Sequence, residues 1–233
     1  MITIDLIQNI LVYTITYIPP LIIYIKFWKR FDKNKFIITL ISLVYLGASL
    51  YTQNILPFIL VVLNIMYLKV ENEEYEKYKF SIRKFKFLEG LKYSIYSYGI
   101  TIIISIITMY VFTKLNVGTK EQEVVTWMLD MSLVKYIITM PVALIFAPVL
   151  EEFVFRWFFF EKVFKKSLGL YLSAAISSAM FAIVHFNLRA FPMILGIGLF
   201  NCYLIEKKGY WYAVFNHFFF NFVTVMLLLQ QKL

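Results

Sequence analysis

The chain has 233 residues, of which 61% are hydrophobic and 19% aromatic, and it carries a formal net charge of +9. A folded chain this apolar cannot cover its surface with polar side chains, which excludes an ordinary water-soluble domain and makes the lipid bilayer a necessary partner. Its Lys and Arg residues form short clusters between apolar runs, a pattern that sets membrane topology and argues against binding of nucleic acid.

Eight apolar runs are candidate membrane-spanning helices, because about 20 apolar residues cross the hydrocarbon core. They lie at 6–25, 36–51, 55–69, 91–113, 134–155, 168–187, 190–206 and 210–229. The predicted fold class is therefore all-α, a polytopic membrane protein of about eight transmembrane helices with a polar intramembrane site, in one membrane domain at 1–233. Pro19, Pro20 and Pro57 interrupt the first and third runs, so the second and third runs are candidates for tilted or incomplete spans.

The basic residues divide the connecting segments into two groups. The larger group contains Lys26, Lys29, Arg30, Lys33, Lys35, Lys69, Lys77, Lys79, Arg83, Lys84, Lys86, Lys92, Lys162, Lys165, Lys166, Lys207 and Lys208. The smaller group contains Lys114, Lys120, Lys135, Arg189 and Lys232. By the positive-inside rule the larger group faces the cytoplasm, which places both termini outside.

Some shorter features leave alternatives open. Residues 70–90 change from acidic to basic with interleaved aromatics, which is typical of an amphipathic helix on the membrane surface and equally of a solvated loop. Residues 116–131, on the opposite side of the membrane, leave the same two alternatives open.

The N-terminus has no basic stretch and no small-residue cleavage site, so we predict no removable signal peptide. The single cysteine, Cys202, lies in an apolar run and is predicted to be a small buried hydrophobe.

Three charged residues, Glu151, Glu152 and Arg156, lie at the end of the fifth apolar run. A charge at the bilayer centre costs about 3 kcal/mol or more, so each of them needs a compensating partner or a function. In a helix Glu152 and Arg156 share a face and can neutralise each other, while Glu151 points elsewhere and is favoured as a general base. The alternative is a helix end in the headgroup region, with a snorkelling Arg156 and hydrated glutamates.

Both histidines of the chain, His185 and His217, lie in apolar runs. A buried histidine is more often a hydrogen-bonded core residue than a ligand, and an intramembrane Asn often joins two helices. His217 and Asn221, however, share one helical face. Two imidazoles, free carboxylates and an amide are what a hydrolytic site needs: the imidazoles bind a metal or polarise a carbonyl, a carboxylate accepts a proton, and the amide stabilises an oxyanion.

Three motifs occur in order: Glu151-Glu152-x-x-x-Arg156, Phe181-x-x-x-His185 and His217-x-x-x-Asn221. They resemble the signature of the intramembrane proteases that include CAAX prenyl endopeptidases and bacteriocin-processing enzymes, the CPBP or Abi family. The resemblance covers about 148–221, within a motif-bearing core of about 134–229. It implies a helical fold of about eight spans and a peptidase with essential residues at Glu151, His185, His217 and Asn221, while Glu152 and Arg156 also belong to the signature.

The predicted function is hydrolysis of a peptide bond in a membrane-associated peptide or protein, such as a bacteriocin or pheromone precursor or a CAAX-like substrate. In this hypothesis Glu151 activates water, His185 and His217 bind a metal or orient the water, and Asn221 hydrogen-bonds the oxyanion. Zn2+ suits imidazole and carboxylate ligands, and a metal-free mechanism is the alternative. Rival functions are a non-enzymatic bacteriocin-immunity or scaffold protein of the same family and a small transporter. Richness in Ile, Lys, Asn, Tyr and Phe favours a bacterial plasma membrane, and the oligomeric state is open.

The two histidines pose a geometric problem. At about 1.5 Å per residue, His185 lies about 26 Å along its helix from Leu168, whereas His217 lies about 10 Å from Tyr210. If both helices began at the same height, the two side chains would not meet. Either the helix starts are staggered, with the sixth run beginning in the cytoplasm as an extension of the basic turn at 162–166, or the predicted topology is wrong locally. We favour the stagger. A separation above about 12 Å would exclude a single site, since zinc–nitrogen bonds are only about 2 Å long.

Overall fold

The computed structural model describes residues 4–31 and 34–233, and these residues are predominantly helical with no β-strand among them. The predicted all-α class is therefore confirmed. Residues 1–3, which belong to the N-terminal segment used to predict the absence of a signal peptide, lie outside the described residues. Lys33, one of the basic residues in the larger group, also lies outside the described residues.

The described ranges contain twelve α-helices and three π-helical segments. The first six α-helices are α1 (Ile4–Val12), α2 (Ile18–Phe31), α3 (Lys35–Thr52), α4 (Ile55–Glu71), α5 (Glu73–Lys77) and α6 (Phe87–Lys114). The others are α7 (Glu123–Asp130), α8 (Leu133–Pro141), α9 (Ala147–Glu151), α10 (Lys165–Ile183), α11 (Phe191–Lys207) and α12 (Tyr210–Gln230). The π-helical segments are π1 (Tyr13–Tyr17), π2 (Val142–Phe146) and π3 (Glu152–Phe164).

Length and apolar composition mark five membrane spans among the described helices, or six if a bent pair counts as one span. The five are Asp5–Lys29, Lys35–Thr52, Phe87–Lys114, Leu133–Ile183 and Tyr210–Gln230, and the bent pair joins Ile55–Glu71 to Glu73–Lys84 at 105°. Helices α4 and α11 have 17 residues each, so they reach only about 26 Å against a core of about 30 Å. The structure thus confirms a polytopic membrane protein but does not fix the predicted number of eight spans.

The longest of these segments, Leu133–Ile183, is folded back on itself. Gly169 has a φ of +73° within α10, a backbone conformation that glycine adopts without a Cβ clash. Beyond it, the Ser177 hydroxyl donates to the Phe155 carbonyl at 2.5 Å, and the Phe155 and Phe181 rings lie 5.2 Å apart. The chain therefore reverses near Gly169, and π3 and α10 pack as antiparallel neighbours.

Contacts between connecting segments show which of them lie at the same end of the bundle. Three ion pairs join the lysine-rich segments: Lys162 with Glu74, Lys165 with Glu206, and Lys208 with Glu89. We call this the lysine end. At the other end, which we call the α7 end, Arg189 pairs with Glu121, and Asn187 Nδ2 donates to the Lys120 carbonyl at 3.0 Å. These contacts agree with the grouping predicted from the charge pattern.

The segment between α4 and α6 does not form the amphipathic surface helix that was one of its two predicted alternatives. It contains only the short helix α5 and a 3-10 turn at Ile82–Lys84, and it folds against the bundle with Tyr78 and Phe80 buried. The Tyr210 N–H donates to the Tyr78 carbonyl at 2.9 Å, and Trp211 Nε1 donates to the Phe80 carbonyl at 2.6 Å. Burial of two aromatic side chains favours this docked conformation over a solvated loop.

Helix α11 approaches α10 closely at Gly198, beside the buried Cys202. A Cβ atom at Gly198 would lie 2.8 Å from the Ser178 Cβ, so a larger residue forces the two helices apart. We expect Gly198→Ala to lower the free energy of unfolding by about 1–3 kcal/mol through overpacking, measured by thermal or denaturant unfolding in detergent. Gly47→Ala is the control, since a Cβ there meets nothing within 4 Å. An equal loss of stability in both variants would contradict the close approach.

Candidate active site

The site is built on a buried ion pair in π3. Glu152 and Arg156 are both 0% exposed, and Arg156 Nε lies 3.1 Å from Glu152 Oε2. The Arg156 guanidinium also lies over the Phe181 ring, 4.3 Å from its centroid. The pair predicted from the i, i+4 spacing therefore forms. The alternative of a snorkelling Arg156 beside a hydrated Glu152 does not fit, because neither of these two side chains is exposed.

The same glutamate also binds a histidine, a contact that the sequence did not predict. The second carboxylate oxygen, Glu152 Oε1, lies 2.8 Å from His217 Nδ1. Glu152 forms an ion pair with Arg156, and a carboxylate only accepts hydrogen bonds. We therefore infer that Nδ1 of His217 carries a proton and that Nε2 keeps its lone pair when the ring is neutral.

Glu151 lies on the other side of the same imidazole. Its Oε2 is 3.7 Å from His217 Nε2, and its side chain is 18% exposed. This distance is too long for a direct hydrogen bond. Glu151 is the last residue of α9 and Glu152 the first of π3. At this change from α- to π-helical backbone, Glu152 contacts one nitrogen of the ring and Glu151 lies near the other. Short π-helical segments are frequent near functional sites.

His185 lies just after the end of α10, and its Nδ1 is 2.7 Å from the Phe181 carbonyl oxygen. Because a carbonyl only accepts, Nδ1 is the protonated nitrogen and Nε2 is left for other partners. The Phe181 ring contacts both imidazoles, with centroid distances of 4.8 Å to His185 and 5.5 Å to His217. The two imidazoles are thus separated by at most the sum of these distances, below the limit of about 12 Å for one site.

The required stagger of the helices comes from the start of α12. Tyr210, its first residue, is fully buried under the segment that carries Tyr78, so α12 begins inside the protein. Helix α10 begins instead at Lys165, which is partly exposed. The Tyr210 hydroxyl donates to the Val149 carbonyl at 2.6 Å and fixes the relative height of α9 and α12. His217 therefore reaches the level of Glu152 although it lies near the start of its helix.

Asn221 lies one turn beyond His217, partly buried. Its Nδ2 donates to the Ala143 carbonyl at 2.8 Å. An amide nitrogen has two N–H groups, so one of them is used in this contact and the second is left for another acceptor. Asn221 therefore joins α12 to π2 and still has a donor to offer.

A cavity of about 160 Å³ adjoins these residues, and His185, His217, Asn221 and Phe181 form part of its wall. The rest of the wall comes mainly from apolar residues of α7, α11 and the second half of α12. An apolar cavity with a few convergent polar groups is the usual form of a ligand site. The structure thus brings together all six predicted site residues: Glu151, Glu152, Arg156, His185, His217 and Asn221.

The donor groups do not form a zinc site as they are arranged. Among the described residues there is no group of three or more His, Cys, Asp or Glu side chains that could hold a metal ion. A catalytic zinc takes three protein ligands and an open position. His185 and His217 each offer one nitrogen, and Glu152 is engaged by Arg156, so Glu151 would have to be both ligand and base. Zinc binding by His185 and His217 and the metal-free alternative therefore both stay predictions.

The sequence motifs did not reveal the central position of Phe181. Its ring contacts Arg156 and both imidazoles. The one signal in the sequence is the spacing of four residues between Phe181 and His185, which places them on one helical face. The contacts to Arg156 and His217 come from other helices and have no counterpart in the local sequence.

Comparison with known proteins supports the interpretation of the motifs. Residues 133–223 match the model of the type II CAAX prenyl endopeptidase Rce1-like family, and this segment includes all the predicted site residues. The chain is also similar to "Putative membrane peptidase YdiL" of Bacillus subtilis (strain 168), at 33% identity over 89 residues. That match covers 37% of this chain and 36% of the relative's length. No solved structure matches the chain. The resemblance to the CPBP family is thus confirmed for residues 133–223.

Proposed function

We propose that the protein is an intramembrane endopeptidase that hydrolyses a peptide bond of a membrane-associated peptide or protein with a glutamate-activated water. The observation that carries this proposal is the position of His217 between two carboxylates, with Glu152 at 2.8 Å and Glu151 at 3.7 Å. A carboxylate, an imidazole of fixed orientation and an adjacent cavity are the parts that general base catalysis needs. The match of residues 133–223 to an endopeptidase family supports the same reaction class.

Glu151 is the proposed general base. Its Oε2 and His217 Nε2 are 3.7 Å apart, which lets a water oxygen lie within hydrogen-bond distance of both atoms. As the water oxygen bonds to the carbonyl carbon, Glu151 accepts the proton. The proton is then transferred to the amine nitrogen as the carbon–nitrogen bond breaks. We assign Nε2 of His185 to orienting the same water.

Asn221 is the proposed donor to the oxyanion. The negative charge that develops on the carbonyl oxygen is stabilised by donors that are already in place before the reaction. The second N–H group of Asn221 is such a donor, because the bond to the Ala143 carbonyl holds the amide in a fixed orientation. Removal of one oxyanion donor typically lowers kcat by about 10²- to 10³-fold.

Glu152 and Arg156 are positioning residues in this mechanism. Glu152 accepts from His217 Nδ1 and so keeps the ring in one tautomer and one orientation, as carboxylates do for histidines in other hydrolases. Arg156 in turn compensates the buried charge of Glu152. Neither residue is required to touch the substrate.

The substrates we propose are bacteriocin or pheromone precursors or CAAX-like proteins in a bacterial plasma membrane. The direct test is cleavage of such peptides by the purified protein in detergent, beside Glu151→Gln and His217→Ala. We expect cleavage by the wild type and a loss of at least about 100-fold in each variant. A protein that binds these peptides without cutting them would instead be an immunity or scaffold protein.

Chelators are expected to leave the activity intact, because the mechanism uses Glu151 as a base and needs no three-ligand metal site. The measurement is peptide cleavage after dialysis against EDTA and 1,10-phenanthroline, together with metal analysis of the purified protein. If cleavage is lost and is restored by Zn2+ alone, His185 and His217 act as zinc ligands, contrary to this expectation.

A further inference from the structure

A second pocket, of about 320 Å³, lies at the lysine end of the bundle. Its wall contains five lysines, one glutamate and Tyr212. The five lysines are Lys79, Lys84, Lys86, Lys207 and Lys208. None of these wall residues lines the cavity beside His185 and His217. The proposed peptidase chemistry therefore leaves this basic pocket without a role.

The basic pocket is formed where two distant parts of the chain pack together. One is the segment between α4 and α6, and the other is the turn between α11 and α12. Gly209 in this turn has a φ of +114°, and a Cβ atom there would lie 2.7 Å from the Lys79 Cβ. The Lys86 N–H donates to the Tyr212 hydroxyl at 3.2 Å. Close backbone packing therefore holds the five lysines around one space.

The acidic side chain in the wall of the basic pocket is already fully engaged. Lys208 Nζ donates to Glu89 Oε1 at 2.6 Å, and the Tyr212 hydroxyl donates to Glu89 Oε2 at 2.7 Å. Lys84 pairs with Glu76, which lies outside the wall. Glu89 and Glu76 thus compensate Lys208 and Lys84, and three lysines of the wall remain.

These three lysines carry the uncompensated charge of the basic pocket. In the part of the chain that the structure describes, Lys79, Lys86 and Lys207 form no ion pair, and all three are exposed. Like charges that the fold holds close together repel one another, so an anion bound between them lowers the free energy. The arrangement favours a ligand with a compact negative group such as a phosphate.

Exposed apolar side chains adjoin the basic pocket at the start of α6. Phe87 and Leu88, which lie between Lys86 and Glu89 in the chain, are 59% and 78% exposed. Ile95 follows seven residues after Leu88, on the same helical face, and is 56% exposed. Because α6 is one of the membrane spans, this face contacts acyl chains. The basic pocket therefore lies at the level where lipid headgroups meet the hydrocarbon core.

We propose that the basic pocket binds the phosphate of an anionic glycerophospholipid, with the acyl chains of this lipid along the outer face of α6. The positive-inside rule places the lysine end at the cytoplasmic leaflet, where anionic lipids attract basic pockets between helices. A free phosphate ion would compensate the lysines but leave Phe87 and Leu88 uncovered, so the apolar border favours a lipid. This lipid site is independent of the proposed endopeptidase function.

A bound lipid connects the two parts of the chain that form the basic pocket. One of them, the turn at Gly209, leads directly into α12, the helix that carries His217. Binding to the folded protein alone raises its stability. We therefore expect short-chain phosphatidylglycerol to raise the unfolding temperature of the purified protein in neutral detergent. We also expect its apparent Kd to be at least about 10-fold lower than that of phosphatidylcholine with the same acyl chains.

The test compares two triple variants of equal net charge. The first removes the three unpaired lysines of the basic pocket: Lys79→Gln, Lys86→Gln and Lys207→Gln. The second removes three exposed lysines of the same end that lie outside the pocket wall: Lys69→Gln, Lys77→Gln and Lys166→Gln. Each protein is titrated with phosphatidylglycerol, phosphatidylcholine and inorganic phosphate, and bound lipids are counted by native mass spectrometry. We expect the first variant to bind phosphatidylglycerol at least about 10-fold more weakly than the wild type, and the second to bind it within about twofold.

Three outcomes would overturn the lipid site. Equal weakening in both triple variants would mean that phosphatidylglycerol responds only to the total charge of this end. Equal affinity for phosphatidylglycerol and phosphatidylcholine would remove the role of the lysines. Equal stabilisation by inorganic phosphate and phosphatidylglycerol would assign the pocket to free phosphate. If the first triple variant does not fold, Lys86→Gln alone is titrated; a loss of at least about threefold supports the site, and an unchanged Kd contradicts it.

Discussion

Glu151→Gln is expected to lower kcat by at least about 100-fold, and up to about 10⁴-fold, with KM and thermal stability nearly unchanged. Glutamine is nearly isosteric with glutamate but cannot accept a proton at neutral pH. Glu151 Oε2 lies 3.7 Å from His217 Nε2, which is longer than a hydrogen bond. Removal of the charge therefore changes the free energy of unfolding little, whereas the attacking water no longer has a general base.

The measurements are steady-state cleavage of a membrane peptide and the unfolding temperature in the same detergent. Glu123→Gln is the matched control, because Glu123 is an exposed carboxylate at the first residue of α7. We expect this control to retain wild-type kinetics. A Glu151→Gln protein that cleaves within about twofold of the wild type would show that another group activates the water.

Arg156→Ala is expected to lower the free energy of unfolding by about 3–5 kcal/mol. The substitution leaves Glu152 buried without its cation and removes the guanidinium from the Phe181 ring. Lys84→Ala is the control for an exposed ion pair, because Lys84 and Glu76 are 46% and 47% exposed. We expect a change of less than about 1 kcal/mol for the control. Similar losses in both variants would contradict a special contribution of the buried pair.

A double variant separates the structural role of this pair from its effect on the chemistry. Glu152→Gln with Arg156→Met removes both charges at once, and neutral replacement of a buried ion pair often restores stability. We expect this variant to regain most of the lost stability but to cleave slowly, because a neutral amide holds His217 Nδ1 less strongly than the Glu152 carboxylate does. Recovery of both stability and cleavage would show that Glu152 does not position His217.

Glu151 and Glu152 lie on the two sides of the junction between α9 and π3. Regular α-helical spacing separates neighbouring side chains by about 100°, which predicts different surroundings for Glu151 and Glu152. Their surroundings do differ, since Glu152 pairs with Arg156 whereas Glu151 lies on the far side of His217. Both carboxylates nevertheless approach one imidazole, at opposite nitrogens. The proposed division into a base and a positioning residue depends on that shared contact.

Composition and local spacing were sufficient to predict one group of features. Apolar runs and clustered basic residues predicted a polytopic helical membrane protein and the grouping of its loops, because these patterns are one-dimensional. The i, i+4 spacing predicted the ion pair of Glu152 and Arg156, since one turn of helix brings the two side chains together. The ordered motifs also indicated all six residues that meet at the site.

The way in which these residues face one another depends on the packing of helices that are distant in the chain. Glu152 and His217 are 65 positions apart in the chain, and their contact depends on α12 starting inside the protein beneath Tyr78. The number of spans is similarly affected by short helices and by the reversal at Gly169. The position of α7 beside the cavity rests on contacts with distant segments. Such contacts follow from the relative height and tilt of packed helices, which hydrophobic periodicity does not encode.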